Sequence, residues 1–458
     1  MPGTTVVILA GGSGTRMRSA LPKLAHDLCG QPLLAWSVNA AAAAFPGCSP
    51  VVVVPPGDGL RDIVAASEVV FAVQSQPLGT ADAVASAAAQ IDRDGTVIVM
   101  SGDVPLVEPE LLAALAGTHA SAGGAATMVT VSLEDPSGYG RVVRDGTGAF
   151  ARVVETKAEG DATAAELEIR EVNAGIYAFE GAALLDALQQ VGSDNAQGER
   201  YLPDVLSVLL REGATVATHE AADPSIVLGV NDRRDLAVLS SHAQTRIHER
   251  HMLAGVTIVQ PASTAIDVTV AIGPDTVVEP CTQLRGHTVV GAGCTVGPHS
   301  TLIDATLFDR VSVVHSHVAG CELRAGCSVG PFAYLRPGTL LREGAKAGTF
   351  VEVKNSDIGA GAKVPHLSYL GDADVGENTN LGAGSITANY DGTHKHRTKI
   401  GARVHGGVDT SFVAPVTVGD DAWTAAGSVV TSDVPPGALA VARARQRNVE
   451  RYGERRGK

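Results

Sequence analysis

Apolar and polar positions follow two different grammars along this chain of 458 residues, and the change falls near residue 256. Before it, short apolar runs alternate with longer helix-compatible stretches. TVVILA (5–10), PVVVVP (50–55), VVFAVQ (69–74) and TVIVM (96–100) are β-branched runs and predict strands. PLLAWSVNAAAAA (32–44) and GTADAVASAAAQI (79–91) predict helices. Alternation of this kind predicts an α/β unit over 1–230, a largely parallel sheet covered by helices. The polar stretch 231–252 predicts a connecting helix; its bland reading is a solvated linker, the alternative a functional basic helix.

From about 256 the period becomes six. Ile272, Val278, Leu284, Val290, Val296 and Leu302 are spaced by six residues each, and Ile272 and Val296 are followed by Gly-Pro. The pattern resumes in 329–340, 358–363, 375–386 and 418–429. Hexapeptide repetition predicts a parallel β-helix over 253–458, one short strand and one turn per hexad, the aliphatic residue pointing inward. Glycine serves the turns because it adopts positive φ without strain. Three hexads close one triangular coil, so the stretch holds about ten coils.

Composition narrows the classes. At roughly 100–200 residues per domain, two or three domains are expected. The chain is 45% hydrophobic and 18% charged, which suffices for sizeable cores, and its 4% aromatic content with 52 glycines suits tightly stacked backbone. A net charge of −14 argues against non-specific nucleic-acid binding, which needs basic surface. No stretch approaches the about 18 consecutive apolar residues of a membrane span, and the N-terminus lacks the pattern of a signal peptide. Cys29, Cys48, Cys281, Cys294, Cys321 and Cys327 form no metal-binding spacing, so reduced thiols in a cytoplasmic protein are expected.

Candidate chemistry begins at LAGGSGTRM (9–17), directly after the first strand. Gly11, Gly12 and Gly14 would let backbone N–H groups approach a phosphate. Alone, such a loop is as readily a structural turn; Arg16 and Lys23 nearby favour the phosphate cradle. It is neither a P-loop nor a dinucleotide fingerprint. Asp103, in SGD, lies beyond the carboxyl end of strand 96–100, where open α/β sheets bind ligands. It could hold Mg²⁺, with Asn231 of GVND completing the oxygen set, or cap the next turn.

LAGGSGTRM, PLGT (77–80), SGD, GYGR (138–141), VVETK (153–157), VNAGIY (172–177), NAQGERYLPD (195–204) and GVND occur in this order. Together they resemble the bacterial bifunctional N-acetylglucosamine-1-phosphate uridyltransferase and glucosamine-1-phosphate acetyltransferase family, over almost the whole chain. The resemblance implies a Rossmann-like mixed sheet followed by a left-handed parallel β-helix. It implies that Leu9, Ala10, Gly11, Gly12, Lys23, Gln74, Gly79 and Thr80 contact UTP. Gly140, Glu155 and Asn173 would contact the sugar, and Asp103 and Asn231 would hold Mg²⁺. Arg16 and Lys23 would steady the triphosphate while the sugar 1-phosphate attacks the α-phosphorus.

In the repeats, LRPGT (335–339), FVEVKNS (350–356), VPHLSYLGD (364–372), NLGAG (380–384), ANYDG (388–392) and AVARARQ (440–446) match the same family's acetyltransferase half. His366 would be the general base, a role suited to an imidazole; without the motif it would be read as a surface residue. Arg336, Lys354, Tyr369 and Asn380 would bind glucosamine 1-phosphate. Ala383, Asn389, Tyr390, the residue at Val408, Ala426 and Arg443 would line the acetyl-CoA site. The remaining basic tail could meet CoA phosphates or be solvated. The resemblance further implies a homotrimer with sites shared between neighbours.

Three motifs depart from the family pattern. Its LAAG is LAGG here, its GTGHA is GTADA (79–83), and its GSDT is GVDT (407–410). The last replaces a serine expected to contact acetyl-CoA and predicts weaker binding of that substrate. Two other readings fit the same pair of architectures. One is a uridyltransferase with a degenerate acetyltransferase half. The other is a regulatory interaction protein like the exchange-factor subunit of eukaryotic translation initiation that joins the same two architectures. Retention of His366, Arg336, Lys354, Tyr369 and Asn389 counts against both.

Overall fold

Val6, Val7 and Ile8 are fully buried, as are Val52, Val53 and Val54 on the adjacent strand. Strands buried on both faces are what a parallel sheet under two helical layers demands. In this computed structural model the described residues are all but 1, 2, 13, 58, 65, 66, 157–161, 194–197, 457 and 458. They form two compact units, Met1–Ala243 and Gln244–Lys458.

The central sheet of the first unit runs Val216–Glu220, Ala126–Ser132, Glu171–Glu180, Thr96–Ser101, Thr4–Leu9, Val51–Val54, Val70–Val73. Thr4–Leu9 pairs in parallel with Thr96–Ser101 and Val51–Val54. Glu171–Glu180 is antiparallel to both its neighbours, so the sheet is mixed, with this one strand reversed on an otherwise parallel central path. Its pairing with Ala126–Ser132 breaks between Asn173 and Tyr177, where Gly175 takes φ 72°. Bulges of this kind re-aim side chains and gather near active sites. The helix expected over 79–91 is shorter: Thr80–Ser86 is α-helical and a 3-10 turn, Ala88–Gln90, follows. The tighter last turn brings Ile91, 7% exposed, into the core ahead of the next strand.

Residues 231–252 lie largely within one helix, Arg233–Leu253. Among the described residues no helix is long and apolar enough to cross a membrane.

The second unit is a parallel β-helix. Its strands, two to four residues long, stack into three sheets of seven, ten and nine strands. One inward ladder runs Leu284, Leu302, Val318, Leu335, Val353, Leu370, every member fully buried. The hexad does not lapse between 302 and 329. Leu302, Leu307, Val313, Val318, Leu323 and Val329 are all buried, and some sides of the prism are simply one residue shorter. Nor do the corners depend on glycine. Asp275, Cys281, Arg310, Phe332 and Asp372 all adopt positive φ there. A buried hydroxyl braces many of these corners: Thr282, Thr288 and Thr339 each donate to the carbonyl three residues back at 2.7 Å. Cys294, Cys321 and Cys327 are buried and free, and burial pushes the Cys321 and Cys327 thiols up to about 11. They are packing residues rather than nucleophiles.

Candidate functional site

The loop after the first strand and the residues beyond strand Thr96–Ser101 enclose a cavity of about 430 Å³. Leu9, Ala10, Gly11, Gly12, Lys23, Gln74, Gly79, Thr80, Asp103 and Glu155 all line it. A smaller one of about 210 Å³ shares Gly12 and Lys23 and adds Arg16 and Asn231. Gly140 and Asn173 do not line the first cavity but sit against residues that do, Glu155 and Tyr177. The Asn173 amide N–H donates to the Gly140 carbonyl at 3.0 Å, and a Cβ on Gly140 would stand 3.6 Å from Glu155 Oε1.

Each basic side chain meets an oxygen acceptor. Lys23 Nζ donates to Asp103 Oδ2 at 2.6 Å, and Ser101 Oγ donates to Asp103 Oδ1 at 2.6 Å. Arg16 donates to Asn231 Oδ1 at 2.9 Å. Gly14, at φ 58°, lets the loop close on Lys23: a Cβ there would stand 2.6 Å from Lys23 Cβ. The oxygens of Asp103 and Asn231 are hard donors and already attract cationic side chains, which is the chemistry a divalent cation requires.

Gly79 is dictated by space. At φ 109° a Cβ would lie 2.4 Å from the Arg200 carbonyl oxygen and 2.7 Å from its amide nitrogen. Both are backbone atoms that cannot step aside, since Arg200 N donates to Leu78 O and Ala81 N donates to Arg200 O. Gly79→Ala is therefore expected to destabilise the first unit by about 2–4 kcal/mol. Its unfolding transition, followed by circular dichroism against denaturant, checks this.

Sequence reasoning missed Tyr177, Glu199 and Tyr201, which also line the cavity. All three fall inside the motifs VNAGIY and NAQGERYLPD, so their aromatic and acidic character was the available signal. Asn173 Nδ2 donates to the Tyr177 hydroxyl at 2.7 Å, and burial raises that phenol's pKa. Burial and the nearby Glu155 raise the Asp204 carboxyl. Lys157 and 195–197, within the same motifs, lie outside the described residues.

In the β-helix, His366 ends the strand Lys363–His366 and is exposed. Its carbonyl accepts from Ser368 Oγ at 2.7 Å and from Gly384 N at 3.2 Å. The next coils continue this corner: Asp409 N donates to Ala383 O at 2.7 Å, and Gly427 N donates to Val408 O at 2.8 Å. His366, Ala383, Val408 and Ala426 thus follow one corner of the prism. Arg443 comes directly after Ala442, whose carbonyl accepts from Val429 N at 3.0 Å, so the tail lies beside the last of these coils.

The adjoining face carries the polar set. Tyr369 begins a strand that pairs with Glu352–Lys354, and Arg336 is ion-paired with Glu352 at 2.9 Å. Asp372, 7% exposed, organises the far edge. It accepts from Asn355 at 2.6 Å, from Asn389 at 2.5 Å and from Lys354 at 3.3 Å. Burial works to raise its carboxyl, and the hydrogen bonds from Asn355, Asn389 and Lys354 outweigh it, leaving the pKa lowered. Tyr390, exposed, bridges to Lys395, and Lys354 beside Lys395 holds that ammonium below the usual lysine range. Asp372 and Lys395 were not singled out from sequence; Asp372 closes the VPHLSYLGD motif. Asn380 is placed differently: it bridges Lys363 and His405 on the neighbouring face. Within one chain it therefore does not share the face of Arg336, Lys354 and Tyr369.

A glycine loop over the sheet's carboxyl ends, with Lys23 and Arg16 set against oxygen acceptors, fits a nucleotidyltransferase, here joined to a parallel β-helix. Residues 6–206 match the MobA-like NTP transferase domain family. The chain is 49% identical to the "Bifunctional protein GlmU" of Mycobacterium marinum over 456 residues, covering 98% of this chain and 92% of that protein. It is 48% identical to the protein of that name from Mycobacterium tuberculosis (strain CDC 1551 / Oshkosh), covering 99% and 92%. The chain belongs to the bifunctional GlmU family. Its activities are those of a uridyltransferase and an acetyltransferase in UDP-N-acetylglucosamine synthesis.

Proposed function

We propose that residues 1–230 carry uridylyl transfer, residues 253–458 carry acetyl transfer, and 231–252 link them. In the first site the 1-phosphate oxygen of N-acetylglucosamine 1-phosphate attacks the α-phosphorus of UTP. The bond to the bridging oxygen breaks and pyrophosphate leaves. Arg16 and Lys23 offset the triphosphate charge, Gly11 and Gly12 give it close backbone approach, and Gln74, Gly79 and Thr80 hold the nucleoside. Gly140, Glu155 and Asn173 hold the sugar. Asp103 and Asn231 hold Mg²⁺, which when bound supplies further charge neutralisation. No protein nucleophile is required.

In the second site His366 takes a proton as the 2-amino group of glucosamine 1-phosphate attacks the acetyl-CoA thioester, and CoA leaves. Arg336 and Lys354 hold the sugar phosphate, Tyr369 and Asn380 the sugar. Ala383, Asn389, Tyr390, Val408, Ala426 and Arg443 line acetyl-CoA. In a homotrimer with sites shared between neighbours, Asn380 of one chain would meet Arg336 and Lys354 of another, which its place on a different face of the same chain allows. The protein acts in the cytoplasm on small molecules, without nucleic-acid or membrane partners.

The observation that carries this reading is the convergence of motifs far apart in sequence on one cavity in the first unit and one corner in the second. UTP, glucosamine 1-phosphate, acetyl-CoA and Mg²⁺ together should yield UDP-N-acetylglucosamine. Supplying N-acetylglucosamine 1-phosphate without acetyl-CoA tests the first site alone. Product in the second assay and none in the first would remove the acetyl-transfer assignment.

Val408 is half-exposed on the corner and offers no side-chain hydrogen bond. Val408→Ser is expected to tighten acetyl-CoA binding by about 2–10-fold, the worth of one hydrogen bond. An unchanged KM for acetyl-CoA would count against a contact there.

A further inference from the structure

The GTADA departure places a carboxylate where it controls Gln74. Gln74 is 7% exposed and lines the nucleotide cavity. Its Nε2 donates twice, to Gly79 O at 3.1 Å and to Asp82 Oδ2 at 2.9 Å. An amide NH₂ has two hydrogens, so both are committed. Asp82 is held in turn by Arg200, whose guanidinium lies 3.6 Å from Asp82 Oδ1. Arg200 is itself anchored: its Nε donates to Val191 O at 3.1 Å, and its second guanidinium nitrogen donates to Leu188 O.

This arrangement leaves no choice of orientation. The Gly79 carbonyl and an ionised Asp82 carboxylate are acceptors only. A flipped amide would set its oxygen against both and forfeit two hydrogen bonds, one of them charge-assisted. The Gln74 side chain therefore turns Oε1 to the cavity, where a Cβ on Gly11 would stand 2.9 Å from it. One residue on, a Cβ at Gly12 would be 4.0 Å from Lys23 Nζ, so the glycine loop runs from the amide oxygen toward the phosphate-binding cation.

We propose that Asp82 is a positioning residue for base selection: by holding both amide hydrogens of Gln74 it makes that side chain a pure acceptor toward the nucleotide. A pure acceptor favours a base with a ring N–H at the facing position, as uracil has at N3. Cytosine presents a lone pair at that atom, and two acceptors facing each other lose the hydrogen bond and repel. The inference rests on the reading that this cavity takes UTP with Gln74 at the base.

The test compares kcat/KM for UTP and CTP, with N-acetylglucosamine 1-phosphate as co-substrate, in the wild type, Asp82→Asn and Gln74→Ala. The amide introduced by Asp82→Asn can donate as well as accept, so Gln74 is free to turn. The UTP-to-CTP preference should fall at least tenfold in Asp82→Asn, the loss for UTP falling on KM rather than kcat. Asp82→Ser, shorter but also able to donate or accept, should move the ratio the same way, and a wild-type unfolding transition of the first unit, followed by circular dichroism against denaturant, reports that the unit carrying the substitution is folded. A ratio within twofold of wild type in both Asp82 variants, with a collapsed ratio in Gln74→Ala, overturns the inference and keeps the reading of the site. An unchanged ratio in Gln74→Ala as well overturns the placement of the base at Gln74.

Discussion

Replacing His366 by alanine should lower acetyl transfer by about 10²–10⁴-fold, the usual worth of a positioned general base, and leave uridylyl transfer within twofold. His366 is exposed at the end of its strand, and its main chain is fixed from two directions, by the Ser368 hydroxyl and the Gly384 amide. The next residue, Leu367, turns the corner at φ 50°. The backbone therefore keeps its path when the imidazole is removed, and the loss is chemical rather than structural. The residues proposed for uridylyl transfer all lie in the separate unit Met1–Ala243, so on that proposal their chemistry has no need of the imidazole. Separate assays with glucosamine 1-phosphate and with N-acetylglucosamine 1-phosphate check both halves of the expectation. A loss of less than tenfold in acetyl transfer would remove His366 from the role of base.

Much of this architecture was readable because it repeats or alternates. Val51–Val54 and Thr96–Ser101 announce themselves as β-branched runs, and the inward ladder from Leu284 to Leu370 follows from a period near six. What stayed hidden depends on contacts between distant residues. The reversal of Glu171–Glu180 needs partners on both sides to be seen, and neither lies beside it in sequence. Shortened sides of the prism, such as Leu302 to Leu307, break a strict six-residue count without breaking the coil. The corners read as glycine positions, yet the hydroxyls of Thr282, Thr288 and Thr339 do much of the bracing.

The sites divide in the same way. Lys23 and Asp103 were each proposed from local motifs, but their direct pairing, 80 positions apart, was not foreseeable. In sequence Asp82 is only a departure from the family's GTGHA, and the structure gives it Gln74 and Arg200 as partners. Asn380 sits in a motif beside acetyltransferase residues, and only the count of coils puts it on another face from Tyr369. Asp372 is the clearest omission, since one buried carboxylate fixes Lys354, Asn355 and Asn389 together.

Asp103→Asn should lower uridylyl transfer by about 10²–10³-fold while acetyl transfer continues unchanged. Asparagine keeps the shape of the side chain and removes its charge. Asp103 Oδ2 is the partner of Lys23, whose side chain is only 11% exposed, so the substitution leaves a nearly buried ammonium without its counter-charge. Two consequences oppose each other. Lys23 becomes freer to meet a phosphate, which strengthens ground-state binding of UTP. The site also loses its anionic donor for a divalent cation, and with it the charge balance needed while pyrophosphate departs. The second effect dominates the rate, because only interactions strengthened in the transition state accelerate transfer. The signature is therefore a KM for UTP that holds or falls while kcat drops steeply, together with a raised requirement for Mg²⁺. Steady-state rates over a titration of Mg²⁺ distinguish this from a folding defect, which would lower the amount of active enzyme without changing the metal requirement. A variant with kcat within threefold of wild type would leave Asp103 as a turn-capping residue and move the metal assignment elsewhere.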